Sequence, residues 1–199
     1  MPVPPERVPP LDELIRTILS QNTNDRNRDR AFTALRARYP DWRDILDAPQ
    51  AELEQVISPA GLGPTKGKRI HDLLSLTYQN GREDLDDLCK VGRAQAYEHL
   101  MSIKGVGPKT ASCVLLFSCG IPAFPVDTHI YRVTGRLRLL PKGADRIKAH
   151  EILADYFEPE HYLELHLNLI RLGRQICRSG KPDCSICPLE EICPSACDL

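Results

Sequence analysis

The chain has 199 residues, of which 42% are hydrophobic and 27% are charged, and its formal net charge is −1. These values are ordinary for a globular protein with one large domain or two small ones, and the near-zero charge argues against binding of nucleic acid by bulk charge alone. The first ten residues lack the apolar core of a signal peptide and no apolar run is long enough to span a membrane, so we expect a soluble cytoplasmic protein with no membrane partner.

Helical periodicity runs through most of the chain. Apolar residues recur at helical spacing in four stretches, residues 11–19, 73–76, 114–117 and 152–176, whereas few stretches alternate as strands do. Frequent proline and glycine residues divide the chain into helices of about 8–16 residues. The sequence therefore predicts an all-α fold.

Two prolines interrupt the helical pattern between residues 120 and 125, where we place a domain boundary. The first domain is predicted to cover residues 9–122. The second is predicted to cover residues 123–199 together with residues 1–8.

A glycine-rich turn with the sequence KGVGPK separates two apolar helical segments. Gly105 and Gly107, on either side of Val106, permit a tight turn with exposed backbone N–H groups, and Pro108 suits the first turn of the second helix. The amides at the start of that helix are suited to hold a phosphate oxygen. We interpret the segment, at about residues 95–119, as a helix–hairpin–helix that grips a DNA backbone without reading its sequence; an ordinary turn between two helices is the alternative.

Positive charge is concentrated between residues 103 and 150, where eight lysines and arginines occur with only two acidic residues. A neutral protein with one basic segment can still present a phosphate-binding face. Chance clustering on a solvated surface is the alternative. The segment that contains the hairpin is therefore a candidate DNA-binding face.

Lys109 follows the turn, in the first turn of the second helix, where the helix dipole disfavours a cation. This position favours the neutral amine, which is the form that attacks a carbonyl-like carbon to give a Schiff base. Lys109 is therefore a candidate nucleophile. The alternative is a surface charge or a phosphate contact.

Asp127 precedes another helix and has the pattern of an N-cap. A capping carboxylate is fixed in position, as a catalytic one must be, and it could stabilise cationic charge on a sugar or orient an attacking amine. A cap alone is the simpler interpretation. The nearby His129 fits a structural or phosphate-contacting role better than a catalytic one.

Four cysteines near the C-terminus are spaced C-x6-C-x2-C-x5-C, and they are Cys177, Cys184, Cys187 and Cys193. Structural zinc sites usually pair two short knuckles, whereas a single C-x2-C with wider gaps favours a [4Fe–4S] cluster. Disulfides or a zinc site are the alternatives. The remaining cysteines are expected to be core residues or bystanders, because a reducing compartment disfavours disulfides; they are Cys89, Cys113, Cys119 and Cys197.

Three blocks of the chain, residues 103–111, residues 126–133 and the four-cysteine loop, together resemble endonuclease III of the helix–hairpin–helix DNA glycosylase superfamily. The resemblance extends over about residues 9–195. It implies a six-helix barrel domain with the helix–hairpin–helix, packed on a helical iron–sulfur domain, with damaged double-stranded DNA bound between them. It implies that Lys109 is the Schiff-base nucleophile, Asp127 the essential carboxylate and the four cysteines the cluster ligands. Related adenine-mismatch glycosylases lack the lysine.

The resemblance also implies residues that contact DNA. Asn22 aligns with a glutamine that fills the space left by the flipped base, and is one methylene shorter; Gln21 is adjacent but out of register. Leu62 aligns with a leucine that wedges the opposite strand, although a loop residue folded onto the core is the alternative. The remaining DNA contacts implied are Gly105, Val106, Gly107, Thr128 and His129.

We therefore predict a bifunctional DNA glycosylase and abasic-site lyase of base excision repair. It is expected to be a monomer that associates with the nucleoid, removes oxidised pyrimidines and cleaves by β-elimination. Alternatives are the same fold acting on uracil or thymine opposite guanine or on abasic sites only, a noncatalytic iron–sulfur DNA-binding protein, or a zinc-binding module.

Overall fold

The computed structural model describes residues 7–79, 85 and 87–196. All regular secondary structure in these residues is helical, so the predicted all-α fold is confirmed. Contacts divide the chain into two compact units, Met1–Gly120 and Ile121–Leu199. The helices of the first unit are α1 (Pro10–Leu19), α2 (Asp25–Arg38), α3 (Gln50–Val56), α4 (Gly63–Gln79), α5 (Arg93–Ser102) and α6 (Pro108–Cys113). Those of the second are α7 (Thr128–Arg136), α8 (Arg146–Tyr156) and α9 (Tyr162–Gln175). No helix in the described ranges has both the length and the apolar character needed to cross a bilayer.

Helix α1 lies at the centre of the first unit and packs against α2, α4 and α6. Leu14, Ile15 and Leu19 are fully buried and lie on one apolar face of the helix. Such burial contributes about 1.5–3 kcal/mol for each large apolar side chain. The core of the first unit is therefore built around α1, whose C-terminus leads into the loop that carries Asn22.

Apolar periodicity did not mark helix α2, because only Ala31 and Leu35 of its fourteen residues are buried. Local polar contacts favour the helix instead. The side chain of Asn24 caps it by accepting a hydrogen bond from the N–H of Asn27 at 2.9 Å. Arg28 adds an i,i+3 ion pair to Asp25. A helix with a narrow apolar stripe and many charges gives little periodic signal.

The apolar stretch after Lys109 is helical, but not uniformly α-helical. Helix α6 passes into a π-helical stretch, Val114–Cys119, which ends at Gly120 with a φ of +63°. Arg7 donates to the carbonyl of Cys119 at 3.3 Å, and a Cβ on Gly120 would lie 2.2 Å from the Arg7 guanidinium. Arg7 therefore belongs to the first unit. The predicted domain boundaries stay a prediction.

One expectation about the cysteines is wrong. Cys89 and Cys119, expected to be core residues or bystanders, form a disulfide bond. The spacing of 30 residues gave no signal for this pairing, because the chain between them folds back through α5 and α6 and brings the two Cα atoms to 4.7 Å. Cys113 is buried in the core, as expected, and Cys197 lies outside the described residues. The disulfide thus encloses the helix–hairpin–helix in one covalent loop.

We expect Cys89→Ser to lower the free energy of unfolding by about 3 kcal/mol, since a cross-link over 30 residues restricts the unfolded chain by roughly this amount. Urea denaturation with and without a thiol reductant measures the effect. Wild type and variant should unfold alike in the presence of reductant. Cys119→Ser should match Cys89→Ser, and the double variant should lose no more than either; additive losses would show that the two thiols are not bonded.

The second unit is organised by the packing of α7 on α9. The two helices come close at Gly173, where a Cβ would lie 2.8 Å from the Cβ of His129. The stretch 152–176, predicted as helical, is interrupted at Pro159–His161, so it contributes to both α8 and α9. Phe124 is buried in the core of this unit, and the centroid of its ring lies 5.3 Å from that of Phe157 and 5.3 Å from that of Tyr162.

Candidate active site and metal centre

The glycine-rich turn joins α5 to α6 and forms the predicted helix–hairpin–helix. The N–H of Val106 donates to the carbonyl of Ile103 at 3.0 Å, and Gly105 has a φ of +89°, which L-residues rarely adopt. A Cβ on Gly105 or Gly107 would meet no atom within 4 Å. The outer face of the turn is therefore open to the close approach of a ligand.

Lys109 is the second residue of α6, directly after the turn, and is half-buried. Helix α1 packs against α6, and Glu13 of α1 interacts electrostatically with Lys109. Desolvation raises the pKa of Glu13, while the charges of Arg16, Lys109 and Arg28 oppose that rise. The structure thus places a primary amine near a partly buried carboxyl group. Sequence reasoning missed Glu13, which is far from Lys109 in the chain and has no motif.

Asn22 and Leu62 lie in two loops of the first unit and share an unusual backbone conformation. Asn22 is exposed in the turn after α1, and Leu62 is 53% exposed just before α4. Their φ angles are +51° and +53°. The alternative that Leu62 folds onto the core is wrong, because the residue is exposed and not buried. Their roles as plug and wedge stay predictions.

Asp127 is the N-cap of α7. Its Oδ1 accepts a hydrogen bond from the N–H of Ile130 at 2.8 Å, and the residue is half-buried. The second carboxylate oxygen has no part in the cap, so one residue supplies both a structural contact and a fixed negative charge. The structure confirms the cap and leaves the catalytic role a prediction.

Thr128 and His129 follow Asp127 and differ in their surroundings. Thr128 is exposed, whereas His129 is half-buried, with its Nδ1 3.2 Å from Arg132 Nη2. Arg132 also donates to the carbonyls of Gly173 at 2.8 Å and Cys177 at 3.1 Å. His129 therefore helps to join α7 to α9. Its predicted DNA contact, like that of Thr128, stays a prediction.

The four clustered cysteines line a single cavity in the second unit, and they are Cys177, Cys184, Cys187 and Cys193. All four are free thiols. Desolvation and the charges of the other three sulfur atoms raise the pKa of Cys184, so the thiols are close enough to interact. In the described part of the chain no group of three or more His, Cys, Asp or Glu side chains closes on a single metal ion. The four thiols therefore share one cavity.

Arg136, at the end of α7, fixes the cysteine loop. Its guanidinium donates to Cys177 Sγ at 3.1 Å, to the carbonyl of Arg178 at 2.8 Å and to that of Ser179 at 3.3 Å. Ser195 returns a hydrogen bond to the Arg136 carbonyl at 2.8 Å. Sequence reasoning missed this residue, because only the folded loop brings it to the sulfur atoms.

The sequence is similar to those of known DNA repair proteins. Residues 15–159 match the family described as HhH-GPD superfamily base excision DNA repair protein. Endonuclease III of Rickettsia conorii is 32% identical over 90% of this chain and 81% of that protein. Endonuclease III of Sulfolobus acidocaldarius is 33% identical over 90% and 79%. A protein of Arabidopsis thaliana named as a DNA glycosylase is 36% identical over 95% of this chain, which spans only 64% of that protein.

Solved structures give the same result. A non-covalent endonuclease III–DNA complex superposes with a TM-score of 0.82 and 28% identity, covering 97% of this chain and 86% of that one. A trapped covalent endonuclease III–DNA intermediate has the same score and identity, with 97% and 87% covered. A thermostable thymine-DNA glycosylase, with a TM-score of 0.77 and 22% identity over 96% and 85%, shares the fold.

These matches confirm the predicted family and, at the level of that family, the predicted class of enzyme, a base excision glycosylase and abasic-site lyase. The two endonuclease III relatives share about a third of their residues with this chain over 90% of its length, and the endonuclease III–DNA complex superposes on 97% of it. The chain belongs to the HhH-GPD superfamily of base excision DNA repair proteins, among the endonuclease III relatives.

Proposed function

We propose that this chain binds damaged double-stranded DNA, removes an oxidised pyrimidine and cuts the strand at the resulting abasic site. The observation that carries the proposal is the position of Lys109, a primary amine in the first turn of α6, directly behind an open glycine turn. The trapped covalent complex of a structural neighbour supports a covalent route. The grip on DNA would come from the hairpin residues Gly105, Val106 and Gly107, with Thr128 and His129 as further contacts.

Lys109 is the proposed nucleophile. Its Nζ lone pair attacks C1′ of the damaged nucleotide, the N-glycosidic bond breaks, and the base leaves with the bonding electron pair and takes up a proton. Opening of the sugar ring gives a protonated Schiff base. Loss of a proton from C2′ then breaks the C3′–O bond and releases the 3′ phosphate, which cuts the strand 3′ to the lesion. Water finally hydrolyses the Schiff base and frees the amine.

Asp127 is the proposed essential carboxylate. The cap on Ile130 holds its carboxyl group in place. A fixed negative charge stabilises the cationic sugar that develops as the base leaves, and preorganised charge of this kind contributes on the order of 10²–10³ in rate. The proposal therefore assigns Asp127 to charge stabilisation and Lys109 to bond formation.

A panel of duplexes tests the substrate. Each would carry one defined lesion: an oxidised pyrimidine, uracil or thymine opposite guanine, or a preformed abasic site. Among the base lesions, we expect base release and strand cleavage to be fastest on the oxidised pyrimidine, and we expect the preformed abasic site to be cleaved as well because its base has already left. Faster turnover of uracil or thymine would favour the alternative substrate. Cleavage of abasic sites alone would show that the protein has no glycosylase activity. Tight binding without any product would indicate a noncatalytic DNA-binding protein.

We propose that the cavity lined by the four cysteines holds a [4Fe–4S] cluster. The residues fit this group, because four unbonded thiols face one space and Arg136 donates to one of the sulfur atoms. Such a cluster would order the loop that carries Arg178 and Lys181, which are suited to phosphate contacts. The enzyme is further proposed to act as a monomer on nucleoid DNA in the cytoplasm.

The purified protein is expected to be brown and to contain about four irons with inorganic sulfide. Cys184→Ser or Cys187→Ser should lose iron, sulfide and solubility together, whereas Cys197→Ser should retain all three. Elemental analysis and the visible absorption spectrum measure this. One zinc in a colourless protein would contradict the cluster, and loss of iron from Cys197→Ser would show that the ligand set is misassigned.

A further inference from the structure

The two loops assigned to the plug and the wedge are held in a costly backbone conformation. Asn22 and Leu62 are two of three non-glycine residues with positive φ in the described ranges; the third is Arg138. The left-handed region costs an L-residue about 1–2 kcal/mol. Such conformations persist only where the surrounding structure enforces them, and they concentrate at functional sites. We therefore identify the contacts that hold Asn22 and Leu62 in this conformation.

Lys66 of α4 contacts the residue that immediately precedes each loop. It is 1% exposed, and its Nζ donates to the carbonyl of Leu19 at 2.9 Å and to that of Ala60 at 2.7 Å. Leu19 is the last residue of α1, and Ala60 ends the short 3₁₀ turn Ser58–Ala60. Carbonyls at the C-terminal end of a helix have no donor within that helix and carry partial negative charge. One amino group thus joins the backbone just before Asn22 to the backbone just before Leu62.

Burial of the Lys66 amino group costs desolvation free energy, which its two hydrogen bonds must offset. Desolvation lowers the pKa of Lys66, and within the described ranges no carboxylate forms an ion pair with it. Burial of an amine without a carboxylate costs desolvation free energy that an apolar side chain of similar length would not lose. What the amine adds is a pair of directional bonds to two loops.

Helix α4 supports the same loops at two further points. The N–H of Lys66 donates to the carbonyl of Leu62 at 2.9 Å, which ties the wedge loop to the first turn of the helix. Arg69, one turn further on, donates to the side chain of Gln21, next to the plug residue. These contacts hold each loop to α4 separately. Among the side-chain atoms of the described residues, Lys66 Nζ alone is bonded to the backbone ahead of both loops.

We propose that Lys66 is a positioning residue for base extrusion, and that its amino group fixes the plug loop (residues 20–24) and the wedge loop (residues 61–62) to each other so that Asn22 and Leu62 enter the duplex together. The inference rests on the proposed function. Lys66 itself does not touch DNA. Its effect is on the insertion of the two side chains, which limits the rate of reaction only where a stacked base must leave the helix. That step costs a few kcal/mol and is cheapest where the stack is already disrupted.

The test compares Lys66→Met, which keeps an unbranched side chain one atom shorter and removes its donors, with Lys66→Arg, which keeps donors. Thr77→Val is the matched control, because Thr77 is also buried on α4 and donates to the carbonyl of Leu73 within the same helix, away from both loops. Single-turnover rates are measured well below the melting temperature of each variant. One substrate carries a damaged base in a fully paired duplex, and the other carries a preformed abasic site.

We expect Lys66→Met to slow base release from the paired duplex by at least about tenfold, since misplacement by about 1 Å can cost 10²-fold. Cleavage at the preformed abasic site should change less than about twofold, because no base has to be extruded. Lys66→Arg should recover part of the lost rate, and Thr77→Val should leave the ratio of the two rates unchanged. Equal losses on both substrates, or no loss on either, would overturn the proposal.

A binding measurement separates this proposal from the proposed chemistry. A duplex with a tetrahydrofuran abasic analogue and 2-aminopurine in the opposite strand reports unstacking by a rise in fluorescence. Wild type should give the rise, and Lys66→Met should bind with similar Kd but give less of it. A full rise with Lys66→Met would overturn the positioning role even if wild type excises bases. Failure of wild type to process any lesion would overturn the proposed function and this inference with it.

Discussion

A Lys109→Gln variant should form no covalent adduct with abasic DNA when borohydride is present, and strand cleavage should fall on the order of 10³-fold or more. Borohydride reduces a Schiff base to a stable amine, and the amide of glutamine cannot form one. Binding to a duplex with an abasic analogue should change only a few-fold, because the open hairpin turn of Gly105 and Gly107 is unaltered. Gel detection of the protein–DNA adduct and a parallel binding titration measure the two effects.

Lys104 provides the matched control. It lies on the other side of the same turn and is exposed, so Lys104→Gln removes the same charge from the same hairpin. We expect Lys104→Gln to trap normally and to bind DNA more weakly in low salt, since its charge would serve only phosphate contacts. Undiminished trapping by Lys109→Gln would place the nucleophile elsewhere. Loss of trapping in Lys104→Gln would show that the assay reports binding rather than bond formation.

The features predicted correctly from sequence are those encoded locally. Two glycines and a proline within a few residues define the hairpin, and a capping aspartate before Ile130 defines the start of α7. The all-α fold followed from repeated apolar spacing, with α1 as its clearest example. In each of these cases the residues that decide the structure lie within one or two helical turns of one another.

The features that sequence reasoning missed depend on contacts between distant residues. The Cys89–Cys119 disulfide requires that the chain fold back on itself, and spacing carries no trace of that. In the sequence, Lys66 is one charged residue of a polar stretch. Only in the folded structure do the end of α1 and the end of the 3₁₀ turn meet at its amino group. Glu13 likewise acquires its raised pKa only when α1 is buried.

The sequence therefore predicted which residues form the candidate site but not the contacts that hold them in position. Asn22 and Leu62 were assigned from a resemblance, but their left-handed backbone and the link between them were not foreseen. A single sequence shows which side chains could insert into DNA, because polarity and loop position are local properties. It does not show what holds those side chains in place, because that depends on carbonyl groups whose direction only the folded backbone defines.

The second large effect is expected for Asp127→Asn, which should lower the rate of base release on the order of 10²–10³-fold with little change in melting temperature. Asparagine keeps the oxygen that accepts from the N–H of Ile130 at 2.8 Å and caps a helix nearly as well as aspartate. The substitution therefore removes the charge and retains the cap. Single-turnover kinetics on a damaged duplex and thermal unfolding measure the two quantities.

Asp145 separates the catalytic role from the capping role within the same unit. It is the N-cap of α8 and accepts from the N–H of Lys148 at 2.8 Å, the same contact that Asp127 makes at α7. Replacement of either aspartate by alanine should cost about 1 kcal/mol of stability. Only the Asp127 variants should also lose the catalytic rate, because Asp145 is assigned to no chemistry.

The rates of Asp127→Asn on a damaged duplex and on a preformed abasic site distinguish the two possible uses of the Asp127 charge. If the carboxylate stabilises cationic sugar, Asp127→Asn slows base release, and cleavage of a preformed abasic site suffers less because the base has already left. If the carboxylate orients the amine of Lys109, both reactions slow together, since both need the Schiff base. An Asp127→Asn variant that is as stable and as active as wild type, and as Asp145→Asn, would reduce Asp127 to a helix cap and leave the negative charge of the site to another residue.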